Sequence, residues 1–514
     1  MNIKDAKQEI SNTLRAYHRK DENGRYAYPL IRQRPILLMG PPGIGKTAIM
    51  EQVAKECEVG LVSYTITHHT RQSAIGLPHI ETRIYHGKEM SITEYTLSEI
   101  IASVYDTMEQ TGKNEGILFI DEINCVSETL APTMLQFLQN KTFGSHRVPE
   151  GWMIVAAGNS PEYNKSVREF DIVTLDRVRK IDIDVDCDVW MEYAWKHEIH
   201  GAILSYLNIK KENFYSVENT VDGKFFVTAR GWEDLSLLLL NYEDLQIPVT
   251  KDLIIQFLQK EEVAVDFAAY YQLYEKYGQD YQIPEILQGT AQEQEYERKV
   301  EMAQNASFEE RFTVVGITLD YLKNVFCFYD RQERQITTLH QALAQLKNYL
   351  KNQNSMESFD EFIHSRQSSL EVKINAELAS ERDIRTEEWV ITKLQEYSLG
   401  VKKEHLTAVE EGFSRIKELF FMELNNRKNL IKSTSQKLEN SFQWIADCFK
   451  DAQEMILFVS GLSKNEKAMS FIAAHGCDAY FQYSEKLLYH KREEELQNAC
   501  RELLERDNLN EKHT

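Results

Sequence analysis

The segment GPPGIGKT, Gly40 to Thr47, has the residue types and the spacing to hold a polyphosphate. It fits the pattern G-x-x-x-x-G-K-[ST], placed directly after the apolar run ILLM and directly before the helical pattern AIMEQVAKEC. The glycines let the backbone curl so that its N–H groups point inward at phosphate oxygens, at the positive end of the following helix. Lys46 then reaches the β- and γ-phosphates, and Thr47 offers a hydroxyl to magnesium. The nucleotide-binding segment therefore reads as Gly40, Pro41, Pro42, Gly43, Ile44, Gly45, Lys46, Thr47 and Ala48. A Gly-rich turn with a surface lysine, the plain alternative, leaves the strand–loop–helix setting unexplained.

A second group of residues answers the first. In LFIDEINCVS the apolar run Ile117 to Ile120 ends in two adjacent acids, Asp121 and Glu122. A magnesium nucleotide needs a carboxylate near the ion and another group to orient and deprotonate the attacking water. Asp121 fits the first role, through the water shell of the ion, and Glu122 fits the second as general base. One acid alone would suit a binder; the pair suits a hydrolase. MIVAAGNSPEYN then places Asn159 at the tip of a neighbouring strand, where its amide can hold the lytic water between itself and Glu122. An Asn before Ser-Pro is by itself a turn former. After a P-loop and an acid-tipped strand, in that order, the sensor reading is favoured.

Positioning these groups is the work of short apolar strands separated by helical stretches, up to about Asp188. The strands are ILLM from Ile36, LVSYTIT from Leu61, ILFI from Ile117, MIVAAG from Met153 and KIDIDVDCDV, with Ile181, Ile183 and Val185 alternating with aspartates. That order predicts a βαβ parallel sheet covered on its faces. From Trp190 to Tyr277 helices dominate, apart from a short hairpin around TVDGKFFV. The Gln- and Glu-rich stretch after Tyr277, containing Pro284 and Gly289, reads as a connector. Beyond Phe308 four apolar stripes at helical spacing predict antiparallel packed helices: Ile317, Tyr321, Val325 and Phe328; Leu339, Leu343, Leu346 and Leu350; Val409, Phe413, Ile416, Phe420 and Leu424; Leu438, Phe442, Ile445 and Phe449. The expected fold is thus an α/β P-loop core with an α-helical lid and a long all-α C-terminal region. Its expected parts are an N-terminal helix (1–34), the core (35–189), the helical lid (190–277), the connector (278–307) and the helical C-terminal domain (308–514).

The bulk composition of the 514 residues narrows the class. The formal net charge of −21 repels phosphate backbones, which argues against non-specific nucleic-acid binding. No apolar stretch is long enough to span a bilayer, and the first twenty residues carry a helix pattern (Ile3, Ala6, Ile10, Leu14, Tyr17) in place of an apolar signal core. Seven scattered cysteines, none spaced CxxC, suit reduced thiols, and a cytoplasmic location is expected. His68 with His69, and His197 with His200, lack ligand partners at zinc spacing and read as ordinary polar residues.

The order of motifs resembles an AAA+ ATPase. DEIN followed by LQFLQNKTFGSHRVPEGWMIVAAGNSPEYN resembles the MoxR family, in the branch with insertions in helix two and before the first sensor. The resemblance runs from Pro35 to about Gln259. It implies ATP as the nucleotide, Mg2+ as the ion, and a homo-oligomeric ring, commonly a hexamer, with each site shared between two subunits. It implies that an arginine of TLDRVRK, Arg177 or its rival Arg179, completes the neighbour's site, and that Arg230 of VTARGWEDL is the second sensor on a lid helix. The segment after the second strand, with Leu77, Ile84 and Tyr85, is then a substrate-facing insertion, and a hairpin lies around 141–148. Either His68 or Thr67 would restrain Glu122 before a partner binds.

The expected function on this resemblance is a motor or chaperone that remodels a client protein, with a von Willebrand factor A domain partner. A nucleotide-gated assembly platform is the alternative from another class. A chelatase-like or restriction-type AAA+ motor is the third.

Overall fold

The structure is a computed structural model that describes residues 1–68, 76–127, 129–143, 146–161, 163, 170–197, 199–220, 223–353, 355–375 and 379–486. The chain divides into two compact units, 1–193 with 210–266, and 194–209 with 267–514.

In the first unit five strands form one parallel sheet: β1 (Ile36–Met39), β2 (Gly60–Thr65), β3 (Gly116–Asp121), β4 (Trp152–Gly158) and β5 (Arg179–Asp182), in the order β2-β3-β4-β1-β5. The three central strands β1, β3 and β4 are covered on both faces and read as continuous apolar runs whose alternate residues serve opposite cores, whereas the edge strands β2 and β5 alternate buried with exposed positions. Leu37, Leu118, Ile120 and Ile154 pack with Ile101, Val104, Met134 and Phe137 from helices Glu99–Thr111 and Ala131–Asn140. Ile36, Leu38, Phe119 and Val155 pack instead with Ile10, Leu14, Met50 and Val53 from helices Ile3–Tyr17 and Lys46–Glu56. Parallel strands present their C-terminal ends on one edge. Gly40, Asp121 and Asn159 each follow or close such an end on adjacent strands, and this topology alone gathers the site.

Two expectations about this unit change. The fifth strand stops at Asp182, although the alternation of Ile183 and Val185 continued it; Ile183 is buried but its N–H goes to the Met39 carbonyl after the ladder ends. The lid region does not stay whole: Ala194–Ile209 and everything from Phe267 belong to the other unit. What remains is the hairpin Ser216–Thr220 with Gly223–Val227, and helices Ala229–Asp244 and Lys251–Phe257.

The second unit is helical, built on Phe308–Gln353 and Val409–Phe449, with Glu381–Lys403 packed against them. Leu339, Leu343, Leu346 and Leu350 are buried as expected, and so are Leu438, Phe442, Ile445 and Phe449. Val409, Phe413 and Phe420 only partly reach the core around Ile416. The stripe expected on Ile317, Tyr321, Val325 and Phe328 is out of phase: Val314, Val315, Leu319, Leu322 and Phe326 are buried and Phe328 is 49% exposed. The expected connector is also corrected. Residues 278–307 include helices Ile283–Gln288 and Glu293–Gln304, and buried Tyr281, Ile283, Ile286 and Leu287 join them to the unit's core. No helix among the described residues is long and apolar enough to cross a membrane, and their cysteines are all free.

Candidate functional site

The loop after β1 turns on Gly43 and Gly45, whose φ angles of +72° and +93° lie where side chains are strained. Gly45 ends the loop and Lys46 opens the helix that follows. Lys46 is 8% exposed, and its Nζ donates to the carbonyls of Gly40 at 2.9 Å and Pro41 at 2.8 Å and to Asn159 Oδ1 at 2.9 Å. Burial pushes its ammonium down to about 8, Arg230 pushes the same way, and the charges of Asp121 and Glu122 oppose both. Thr47 Oγ1 donates to Asp121 Oδ2 at 3.0 Å. A hydroxyl oxygen and a carboxylate oxygen at that distance are the hard donors magnesium takes, and a cationic Nζ beside curled backbone suits phosphate. The donor set therefore fits a magnesium nucleotide.

Asp121 and Glu122 are adjacent but not equivalent. Glu122 has φ +57°, so the chain breaks out of the strand between the two acids and sends their side chains different ways. Glu122 Oε2 accepts from Thr67 Oγ1 at 3.0 Å, from just beyond β2. Thr67, one of the two residues expected to restrain Glu122, is thus within hydrogen-bond reach of it; the side chain of its rival His68, and His69, lie outside the described residues. His200 is buried, with Nδ1 accepting the Ala202 N–H at 3.1 Å, and Glu198 of the HEIH stretch is not described.

The lid grips the loop through its backbone. Arg230 N–H donates to the Gly43 carbonyl at 3.1 Å, and Tyr215 Oη donates to the Pro42 carbonyl at 3.0 Å. Thr228 caps the helix Ala229–Asp244 by accepting from the Gly231 N–H. A Cβ on Gly43 would lie 3.0 Å from the Thr228 side chain. Arg230 itself is exposed, close enough for its charge to act on Lys46. Sequence reading missed Tyr215, which carries no local signal, and Thr228, whose T-x-x-G spacing before a helical run was a legible cap.

The two candidate arginines separate. Arg179 begins β5, and its guanidinium is tied to Glu9 and to Thr13 Oγ1, the latter at 2.7 Å, on the N-terminal helix of its own unit. Arg177 is exposed, with a hydrogen bond to the Gln139 side chain. Just before it, Asp171 caps the short turn Ile172–Leu175, which leaves Ile172 85% and Val173 57% exposed. The insertion after β2 is a hairpin, Pro78–Tyr85 with Lys88–Tyr95, closed by His86 and Gly87 at φ +49° and +79°. Leu77, Ile84 and Tyr85 are exposed on it, as are Ile80 and Met90. The expected second hairpin is two residues a side, Thr142–Phe143 with His146–Arg147.

Fold and site together define a P-loop nucleotide-binding module. Residues 36–175 match the model of the ATPase family associated with various cellular activities (AAA), which supports an ATPase motor domain of the AAA+ type in that part of the chain. No curated protein matches the chain.

Proposed function

We propose that this chain is a magnesium-dependent ATP hydrolase of the MoxR-like kind, working as a ring whose sites lie between copies and remodelling a client protein, with a von Willebrand factor A domain partner. The observation that carries the hydrolase reading is the meeting of Lys46, Thr47, Asp121, Glu122 and Asn159 at the ends of adjacent parallel strands. Lys46 and the loop amides hold the triphosphate, and Thr47 with Asp121 holds the ion. When bound, the ion withdraws charge from the phosphoryl oxygens. Asn159 and Glu122 orient the attacking water, and a Glu122 carboxylate oxygen accepts its proton. Glu122 must leave Thr67 to do so, which makes that hydrogen bond a brake on idle turnover. Arg230 senses the γ-phosphate from its own lid.

Arg177 is the residue that reaches a neighbour's site, because Arg179 is committed to Glu9 and Thr13. The exposed Ile172 and Val173 beside Arg177 favour a face that another copy covers.

The test is Glu122→Gln in the full chain. ATP affinity should stay within about threefold while turnover falls by about 100-fold or more, the scale of losing a positioned general base. Parental turnover in this variant would remove Glu122 from the chemistry. A client and a von Willebrand factor A domain partner should be retained by the same variant with ATP and released by the parent. DNA or RNA added at moderate salt should leave the ATPase rate unchanged; stimulation would move the chain towards a translocase.

A further inference from the structure

The fourth residue of DEIN has no place in the reading above, yet it is the most enclosed polar side chain near the site. Asn124 is 2% exposed, three residues beyond Asp121. Its Nδ2 donates to the Asn159 carbonyl at 2.7 Å, and its Oδ1 accepts from the Asn159 N–H at 3.3 Å. One amide therefore engages both backbone groups of one residue, as a neighbouring strand would. The β3–β4 ladder supplies the reason: its pairing ends at Ile120 with Ala156, one further bond joins the Ile123 N–H to the Ala157 carbonyl, and beyond that β3 offers no backbone. The Asn124 side chain extends the ladder to the tip of β4.

Gly158 makes room for it. A Cβ there would lie 2.5 Å from Asn124 Oδ1 and 2.8 Å from its Cγ, so the amide lies flat against a backbone that must be glycine. Asn124 also sits in the turn whose Cys125 N–H closes onto the Glu122 carbonyl. It thereby joins the turn that carries Glu122 to the strand tip that carries Asn159, whose own side chain meets Lys46 at 2.9 Å.

We infer that Asn124 is a positioning residue for hydrolysis: it sets the separation between Glu122 and Asn159, the two groups that orient the water, without touching the nucleotide. This rests on the hydrolase reading above. The side chain must both donate and accept in one plane. An ionised Asp offers only acceptors and would face the Asn159 carbonyl with like charge, a Leu offers neither, and a Gln is one methylene too long.

The experiment compares Asn124→Asp, Asn124→Ala, Asn159→Ala and the Asn124→Ala/Asn159→Ala pair with the parent, in the full chain. A misplaced reacting group costs about 10- to 100-fold in turnover, and that loss should fall on kcat for both Asn124 variants, with nucleotide Kd within about threefold. On Asn159→Ala, the second change should add less than about twofold, because its effect passes through Asn159. An additive loss, or a loss in Kd with kcat intact, would overturn the inference. Amide hydrogen exchange gives a readout that needs no turnover. The peptide spanning Asn159 should exchange about tenfold faster or more in Asn124→Asp, near-isosteric and so expected to fold, while the Ile36–Met39 peptide is unchanged. Unchanged exchange at Asn159 would overturn the clamp even if the chain proved to be no hydrolase. A parent without ATPase activity but with faster Asn159 exchange in Asn124→Asp would keep the clamp and sink the hydrolase reading.

Discussion

Lys46 is the residue at which burial and function pull against each other. An ordinary lysine loses its proton near pH 10.5, but burial, with Arg230 nearby, brings this one to about 8. Polyphosphate favours the charged form, so the bound lysine keeps its proton to higher pH than the free one. Below pH 8 the free protein already carries that charge and binding takes up no proton. Above pH 8 binding must protonate Lys46, and ATP affinity should fall by about tenfold per pH unit until the bound lysine itself titrates. Titrating a fluorescent ATP analogue between pH 7 and 9.5 tests this, with Lys46→Ala as the background; a flat profile would mean that Lys46 stays charged in the free protein. At this scale the loop, Asp121 and Glu122 were legible because each is a local pattern fixed by neighbours in sequence. The hydrogen bond from Thr67 to Glu122 was not, since it depends on how the chain turns beyond the end of β2. Nor could the left-handed backbone at Glu122 be read, for its residue type gives no sign of it.

At the scale of elements, Arg177 and Arg179 show how two residues apart in one motif can serve different structures. Arg179 pins the N-terminal helix to the edge of the sheet through Glu9 and Thr13, while its N–H bonds the Pro35 carbonyl. Arg179→Ala should lower stability to denaturant by about 1 kcal/mol, the scale of a partly exposed ion pair plus a hydrogen bond, and leave ATP turnover within about threefold. Arg177→Ala should do the reverse, with stability within about 0.5 kcal/mol and turnover down about 1,000-fold or more, as for loss of an arginine finger. Equal losses of turnover in both variants would return the assignment to open rivalry. Sequence alone could not separate them, because Glu9 lies 170 residues from Arg179. The three central parallel strands were legible from their apolar runs, since burial on both faces leaves no other composition, while the edge strand β5 showed only an alternation that ran past its true end. The stretch 278–307 was misread for the opposite reason: its many Gln and Glu residues hid Tyr281, Ile283, Ile286 and Leu287, few in number but fully used in packing. The first stripe on Phe308–Gln353 failed because that helix buries residues on more than one face, so a single period does not select among them.

The whole molecule carries a net charge of −21, and copies of it repel at long range, so the ring proposed above would have to be closed by short-range contacts. The segment around Arg177 offers such contacts: Ile172 and Val173 stand exposed on the Asp171-capped turn, and raising salt to physiological strength screens the repulsion beyond about 8 Å while leaving apolar burial intact. The proposed ring needs a heterologous interface, which joins the front of one copy to the back of the next and gives a ring where the rotation closes. It has a consequence that no arrangement of self-sufficient monomers shares. On that proposal a Lys46→Ala copy does not hold ATP but still presents Arg177, and an Arg177→Ala copy holds ATP but does not complete its neighbour. Each variant alone should be nearly inactive. Mixed in equal amounts and allowed to exchange, about a quarter of the interfaces pair an intact loop with an intact arginine, so turnover should recover to about a quarter of the parental rate per subunit. ATPase assays before and after mixing, with assembly followed by light scattering, decide the matter. No recovery in mixtures that demonstrably co-assemble would mean that Arg177 acts in its own copy or not at all.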